Sequence, residues 1–206
     1  NVTLKSGNIT NSGSSLLANN SLTIDSQNSI SNLNDGLMKA GGALNLSAIG
    51  DINNISSTIS GKTGALESLD GSINNLTLAD QIDINAKGKR NNVTIKDTVL
   101  GTTASITAQD SLSLEAGKNI TVTGANLASG GDMLLNAWGD IAVNANQVND
   151  AYSSAQAKTS RSSVTYQGSS VSAGGDLIVN AGHNIDLTAS DVKAGGSAGL
   201  SAGHDL

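Results

Sequence analysis

The residues of this chain best equipped for chemistry are few, and they recur. Its two histidines, His183 and His204, stand in the similar runs NAGHNID and SAGHDL. Ser201, His204 and Asp205 supply the residue types of a nucleophilic triad, but neighbours on one turn do not provide an oriented base and oxyanion donors. At 60–63 the run SGKT matches the end of a phosphate-binding loop. The full G-x-x-x-x-G-K-[ST] pattern needs Gly at 56, where Ser56 stands, and no helix is expected to follow, so the run is read as a turn. Gly-Gly-Asp at 130–132 and 174–176 resembles part of a calcium-binding nonapeptide, G-G-x-G-x-D-x-U-x. Here the spacing is near 21 rather than nine, and Ser197 replaces the Asp at the third occurrence, which leaves incidental calcium at corner carboxylates at most. A β-helical polysaccharide-degrading enzyme needs carboxylates gathered in one groove, alone or with Arg or Lys. The acids are scattered, and Asp110, Asp132 and Asp176 fall at predicted corners. No catalytic residue, metal site or cofactor is expected.

The elements that would position these residues are set by a repeat. Leu112, Met133, Leu177 and Ala198 share one column at a shift of about 21 residues, and Leu114, Leu135, Val179 and Leu200 share another. Ala116, Ala137, Ala181 and Ala202 follow, then Ile120, Ile141, Ile185 and Leu206, then Val122, Val143 and Leu187, and finally Leu127, Val148 and Val192. The pattern extends backwards through Val2, Leu22, Leu44 and Leu66 and through Ile9, Ile30, Ile52 and Ile73. Short runs alternating with period two are strands, and three of them per 20-odd residues predict a solenoid whose coils stack to bury what one coil cannot. The expected fold is all-β, a right-handed parallel β-helix, with the hand taken from the crossover rule. Nine to ten rungs would make a rod of about 45 Å. A helical solenoid is excluded by the i, i+2 pattern and by the abundance of Gly, Asn, Ser and Thr.

Within residues 1–206, read as one segment, 1–75 and 107–206 are expected as regular coils. Over 76–106 the register blurs, and Ile82, Ile84, Val93 and Ile95 belong either to one enlarged coil or to two. Residues 151–173 are expected as an atypical rung, with Val164, Tyr166 and Val171 inward and a polar first side, 153–163, that is either a bulge or a mobile loop. Gly-Gly at 41, 130, 174 and 195 is placed at corners where a positive φ is needed. Asn119, Asp140, Asn184 and Asp205 precede the second strand, where they can bond turn backbone and ladder along the rod.

Composition sets limits. With no Phe, Cys or Pro and three aromatics in 206 residues, the core must be thin and aliphatic, and no disulfide or thiolate site can form. A net charge of −6 with 14% charged residues disfavours nucleic acid. The one basic cluster, Lys87, Lys89 and Arg90, is expected in a solvated loop. No apolar run long enough for a membrane span and no signal peptide is found, and the opening in mid-strand pattern suggests a piece of a longer chain. Trp138 is expected exposed at a corner, and with Lys158 and Arg161 it makes the candidate interaction surface. Cut ends of such a rod would expose strand edges and favour end-to-end association.

The run L-x-L-x-A-G-x-x-I-x-V/L followed by A-G-G-D, as in SLSLEAGKNITVTGANLASGGD, resembles the filamentous haemagglutinin repeats of large bacterial exoproteins, adhesins and contact-dependent growth inhibition effectors among them. The resemblance covers residues 101–206 strongly and 1–100 more loosely. It implies a right-handed parallel β-helix and export through an outer-membrane two-partner secretion transporter. It further implies an extracellular or cell-surface location, and a shaft that presents an adhesin or toxin at a distance. The alternatives it leaves open are direct binding of a target-cell receptor or glycan, or a part in passing an effector into a neighbouring cell. The Asn-Pro motifs of the family's secretion domain and any toxin-like module are missing from this sequence.

Overall fold

The computed structural model describes residues 1–89 and 91–206; Arg90 of the basic cluster lies outside them. The first three coils are three short strands each: β1 (Val2–Ser6), β2 (Ile9–Ser12) and β3 (Ser15–Ala18); β4 (Leu22–Ser26), β5 (Ile30–Leu33) and β6 (Leu37–Ala40); β7 (Ala43–Ala48), β8 (Ile52–Ile55) and β9 (Thr58–Gly61). The fourth runs through β10 (Thr63–Ser68) and β11 (Ile73–Leu76), sends out a hairpin, β12 (Ala79–Lys87) and β13 (Asn92–Leu100), and closes with β14 (Ser105–Ala108). The fifth is plain: β15 (Leu112–Ala116), β16 (Ile120–Thr123) and β17 (Asn126–Ser129). The sixth runs through β18 (Met133–Ala137) and β19 (Ile141–Asn144), sends out a second hairpin, β20 (Asn146–Ser154) and β21 (Thr159–Gln167), and closes with β22 (Ser170–Ala173). The seventh is β23 (Leu177–Ala181), β24 (Ile185–Leu187) and β25 (Asp191–Ala194), and β26 (Ala198–Ala202) begins an eighth.

Corresponding strands pair in parallel into sheets of eight, seven and seven strands, one per side of the coil. The expected columns are the register: Leu22 pairs with Leu44, Leu112 with Met133, and Met133 with Leu177. The inward residues form one continuous aliphatic cluster from Ala18 to Ile185. Each fully buried Leu or Ile in it contributes about 1.5–3 kcal/mol relative to exposure. No single coil could collect enough of these.

Four details differ from expectation. Seven complete coils replace nine or ten, so the rod is about 35 Å long, because residues 79–100 and 146–167 leave the rod as hairpins. For the same reason 151–173 is not a rung. Only Ser170–Ala173 returns to the rod, with Val171 inward, and Val148, placed in the third-strand column, lies in β20. Val164 and Tyr166 stand 50% and 61% exposed on β21 rather than inward. Hairpin strands alternate with the same period of two as coil strands, so their apolar residues fell into rod columns by coincidence of spacing. The doubled glycines, finally, are not at positive φ; among described glycines only Gly13 and Gly124 are. They are glycines because coils approach closely there. A Cβ on Gly130, Gly174 or Gly195 would run into the carbonyl oxygen of Gln109, Gly130 or Gly174 in the coil before.

A feature absent from the expected columns lies inside the first four coils. Asn11, Asn32, Asn54 and Asn75 form an inward ladder, each Nδ2 donating to the next Oδ1 at 2.7, 2.9 and 2.8 Å. Asn32 and Asn54 also donate to the carbonyls of Gly36 and Ser57, closing the turn into the third strand. Full burial is tolerable because every amide is bonded. From the fifth coil the column is apolar, Asn75 pairing with Val122.

Candidate functional site

Two corners of the coil carry the candidate residues, and they are different corners. At the turn after the first strand, Trp138 is 78% exposed. Its column neighbours are Gly117 in the coil before and Gly182 in the coil after, the latter held so close that a Cβ would meet the Trp138 carbonyl. Glu67, Glu115 and Asn136 line a shallow groove beside the indole. The same turn holds Lys118, Gly139, His183 and His204 in its next column, linked by backbone bonds of 2.7, 3.0 and 2.9 Å. The histidine rings meet edge to face with centroids 5.4 Å apart, both exposed. Beside them the expected side-chain ladder is present. The Oδ1 atoms of Asn119, Asp140 and Asn184 accept from the backbone N–H of Asp140, Asn184 and Asp205. These carboxylates and amides are occupied in stitching coils together. Among the described residues no three His, Cys, Asp or Glu side chains gather as metal ligands would.

The second corner, between second and third strands, carries an arm. The hairpins of the fourth and sixth coils leave from this corner and pair with each other outside the rod, β12-β13-β20-β21, all antiparallel. They meet over the fifth coil, which makes the same corner with only Gly124 and Ala125. Asn146 Nδ2 donates to the Thr77 carbonyl at 2.8 Å, and Thr77 Oγ1 donates to the Gly124 carbonyl at 2.6 Å. A Cβ on Gly124 would strike the Asn146 amide. Further out, Thr98 Oγ1 donates to Gln81 Oε1 at 3.0 Å and accepts from the Asn149 N–H at 2.9 Å, which ties three of the four strands. Lys158 sits in the β20–β21 turn with φ 51°, and Arg161 pairs with Asp150 at 3.0 Å on the exposed face. Thus Lys158 and Arg161 share the arm, while Trp138 stands apart from them at the first corner.

A sequence profile described as the hemagglutinin repeat matches residues 3–157 and 150–206. The chain belongs to the haemagglutinin repeat family. It is accordingly a repeat segment of a secreted, surface-exposed protein of the two-partner secretion type. It is 52% identical over its whole length to a protein named tRNA nuclease CdiA of Escherichia coli O6:K15:H31, of which it spans 6%. A protein named 16S rRNA endonuclease CdiA of Enterobacter cloacae is 59% identical over 62% of the chain and 4% of the relative, and one named deoxyribonuclease CdiA of Dickeya dadantii is 39% identical over 97% and 5%. The chain thus spans a small fraction of each relative's length. No solved structure matches the chain. No helix among the described residues is long and apolar enough to cross a membrane.

Sequence reasoning missed the arm as a unit. Its signal was present: two stretches of similar length, one before Ala104-Ser105 and one before Ser169-Ser170, interrupt the repeat at the same place in the coil.

Proposed function

We propose that the chain is a non-enzymatic length of shaft, exported through an outer-membrane two-partner secretion transporter, that holds an adhesive or toxic part of its parent away from the producing cell. The observation carrying this reading is the unbroken register of three parallel sheets over seven coils, with one continuous core. Relatives named for tRNA, 16S rRNA and DNA cleavage share this segment. That sharing supports placing the choice between those substrates, and the nuclease chemistry, in other parts of the parent.

A second reading is favoured by the arm, which is an insertion the rod does not need: the arm makes direct contact with a target-cell surface. One experiment separates the two. Residues 145–167 are removed from the parent protein, and surface display and target-cell attachment are both measured. Unchanged display and unchanged attachment support the plain shaft, and unchanged display with reduced attachment supports contact through the arm. Loss of display would refute the view that the arm is dispensable to the rod.

A further inference from the structure

We infer that the tip of the arm is a docking site for the phosphate-bearing headgroups of a bacterial outer-leaflet glycolipid. The inference rests on the reading of the arm as a contact element and gives that contact a chemistry. It begins with how charge is divided. Six of the chain's 11 Lys and Arg residues lie in 79–100 and 146–167, against four of its 17 acids, so the rod is acidic and the arm is not. Within the arm the division sharpens further. Asp80, Asp83, Asp97 and Asp150 all lie in its inner half, and the outer stretches 86–95 and 152–161 contain no acid.

The two tips, 63 residues apart in sequence, are one structure. Gly88 N–H donates to the Asn91 carbonyl at 2.8 Å, which tightens the first turn. Across to the second, Ala155 N–H donates to the Asn92 carbonyl at 3.1 Å, and Asn91 Oδ1 accepts from the Gln156 N–H at 2.9 Å and from Ser154 Oγ at 3.2 Å. Lys87, Lys89 and Lys158 are thereby carried on adjoining turns of a sheet whose four strands span about 15 Å. All three are exposed, and none makes an ion pair among the described residues, whereas Lys96 and Arg161 are engaged by Asp83 and Asp150. Behind the tip the register places Ile84, Ile95 and Tyr152 in one row across three strands, ending on Arg161. Ile84 is 48% exposed, while Ile95 and Tyr152 are half-buried in the same row.

A surface that is anionic and close to apolar matter fits this arrangement. Phosphomonoesters would pair with the lysines at the tip, and the apolar row behind them would lie against the sugar rings of the headgroup. The acidic rod is repelled by the same surface, so the approach is through the tip. A secreted chain meets such a surface on the next cell.

The test is flotation of the purified 206-residue chain with phosphatidylcholine vesicles, plain or carrying lipid A, a bisphosphorylated glycolipid. Binding is expected only with lipid A, weakening as salt is raised. The triple variant Lys87→Glu, Lys89→Glu, Lys158→Glu is expected to bind about a hundredfold more weakly, from the usual contribution of each basic residue at an anionic surface, while Lys→Arg at the same positions binds as the parent. The rod variant Lys5→Glu, Lys39→Glu, Lys62→Glu changes net charge equally and should also bind as the parent. Matching thermal melts show that the variants fold. Four outcomes overturn the proposal: equal binding to plain vesicles, no loss in the tip variant, equal loss in the rod variant, or full competition by inorganic phosphate or a soluble acidic protein. Because purified components are used, such a failure is separable from any result of the cell-attachment experiment above.

Discussion

At the scale of single residues, two kinds of polar or small side chain do work that the aliphatic columns conceal. Asn54 accepts from Asn32 and donates to Asn75, so its loss leaves the buried Asn75 Oδ1 without its donor and takes one acceptor from Asn32. Asn54→Ala should cost about 2–4 kcal/mol, read as a fall in the urea midpoint at unchanged slope. Asn45, exposed and facing outward on β7, should tolerate the same change within about 0.5 kcal/mol. The doubled glycines make a complementary case. Gly174→Ala presses a methyl group into the Gly130 carbonyl and should lower stability by more than about 2 kcal/mol. Gly199→Ala meets nothing within 4 Å and should leave stability unchanged or raise it by up to about 1 kcal/mol. Equal effects at Gly174 and Gly199 would mean that these glycines serve conformation rather than close approach. The columns of Leu, Ile and Val were legible in the sequence because burial enforces them at every coil. The Asn ladder was not read, although I-x-N recurs at 30, 52 and 73, since an amide among aliphatic residues reads as outward until its partners are seen.

At the scale of elements, the arm is the part of the fold the sequence concealed. Ile82 and Ile84, Val93 and Ile95, and Val164 and Tyr166 carry the same alternation as the rod, and period alone cannot say whether a strand pairs in parallel inside a coil or antiparallel outside it. What distinguishes them is where they interrupt the coil. Deleting 145–167 joins Asn144 to Gly168-Ser169-Ser170, which aligns with Thr123-Gly124-Ala125-Asn126 of the fifth coil and restores a 21-residue repeat. The shortened chain should keep its β-rich circular dichroism and unfold in one cooperative step, with β13 losing amide protection along its freed edge because its partner β20 is gone. Collapse of protection throughout β18, β19 and β22 would show instead that the hairpin is integral to the sixth coil.

At the scale of the whole molecule, rigidity belongs to the rod and the proposed contact to the arm. Parallel ladders and a continuous core make the haemagglutinin repeat segment a rod of stacked coils that share one strand plan. The arm interrupts that repetition and gathers three of the five lysines that make no ion pair among the described residues, so it is where this stretch departs from plain coils. Both assignments depend on the sixth coil stacking directly on the seventh, with 146–167 outside. The absence of cysteine makes this directly testable. Asn136 and Asn180 are register partners on the outward face of the first sheet, about 4.8 Å apart by strand spacing and within disulfide reach. The double variant Asn136→Cys, Asn180→Cys should form an intramolecular disulfide on mild oxidation, seen as a linked peptide pair by mass spectrometry, whereas Asn136→Cys with Ser201→Cys, two coils apart, should not. Failure of the first pair to cross-link in a folded chain would place another rung between these coils and contradict the architecture.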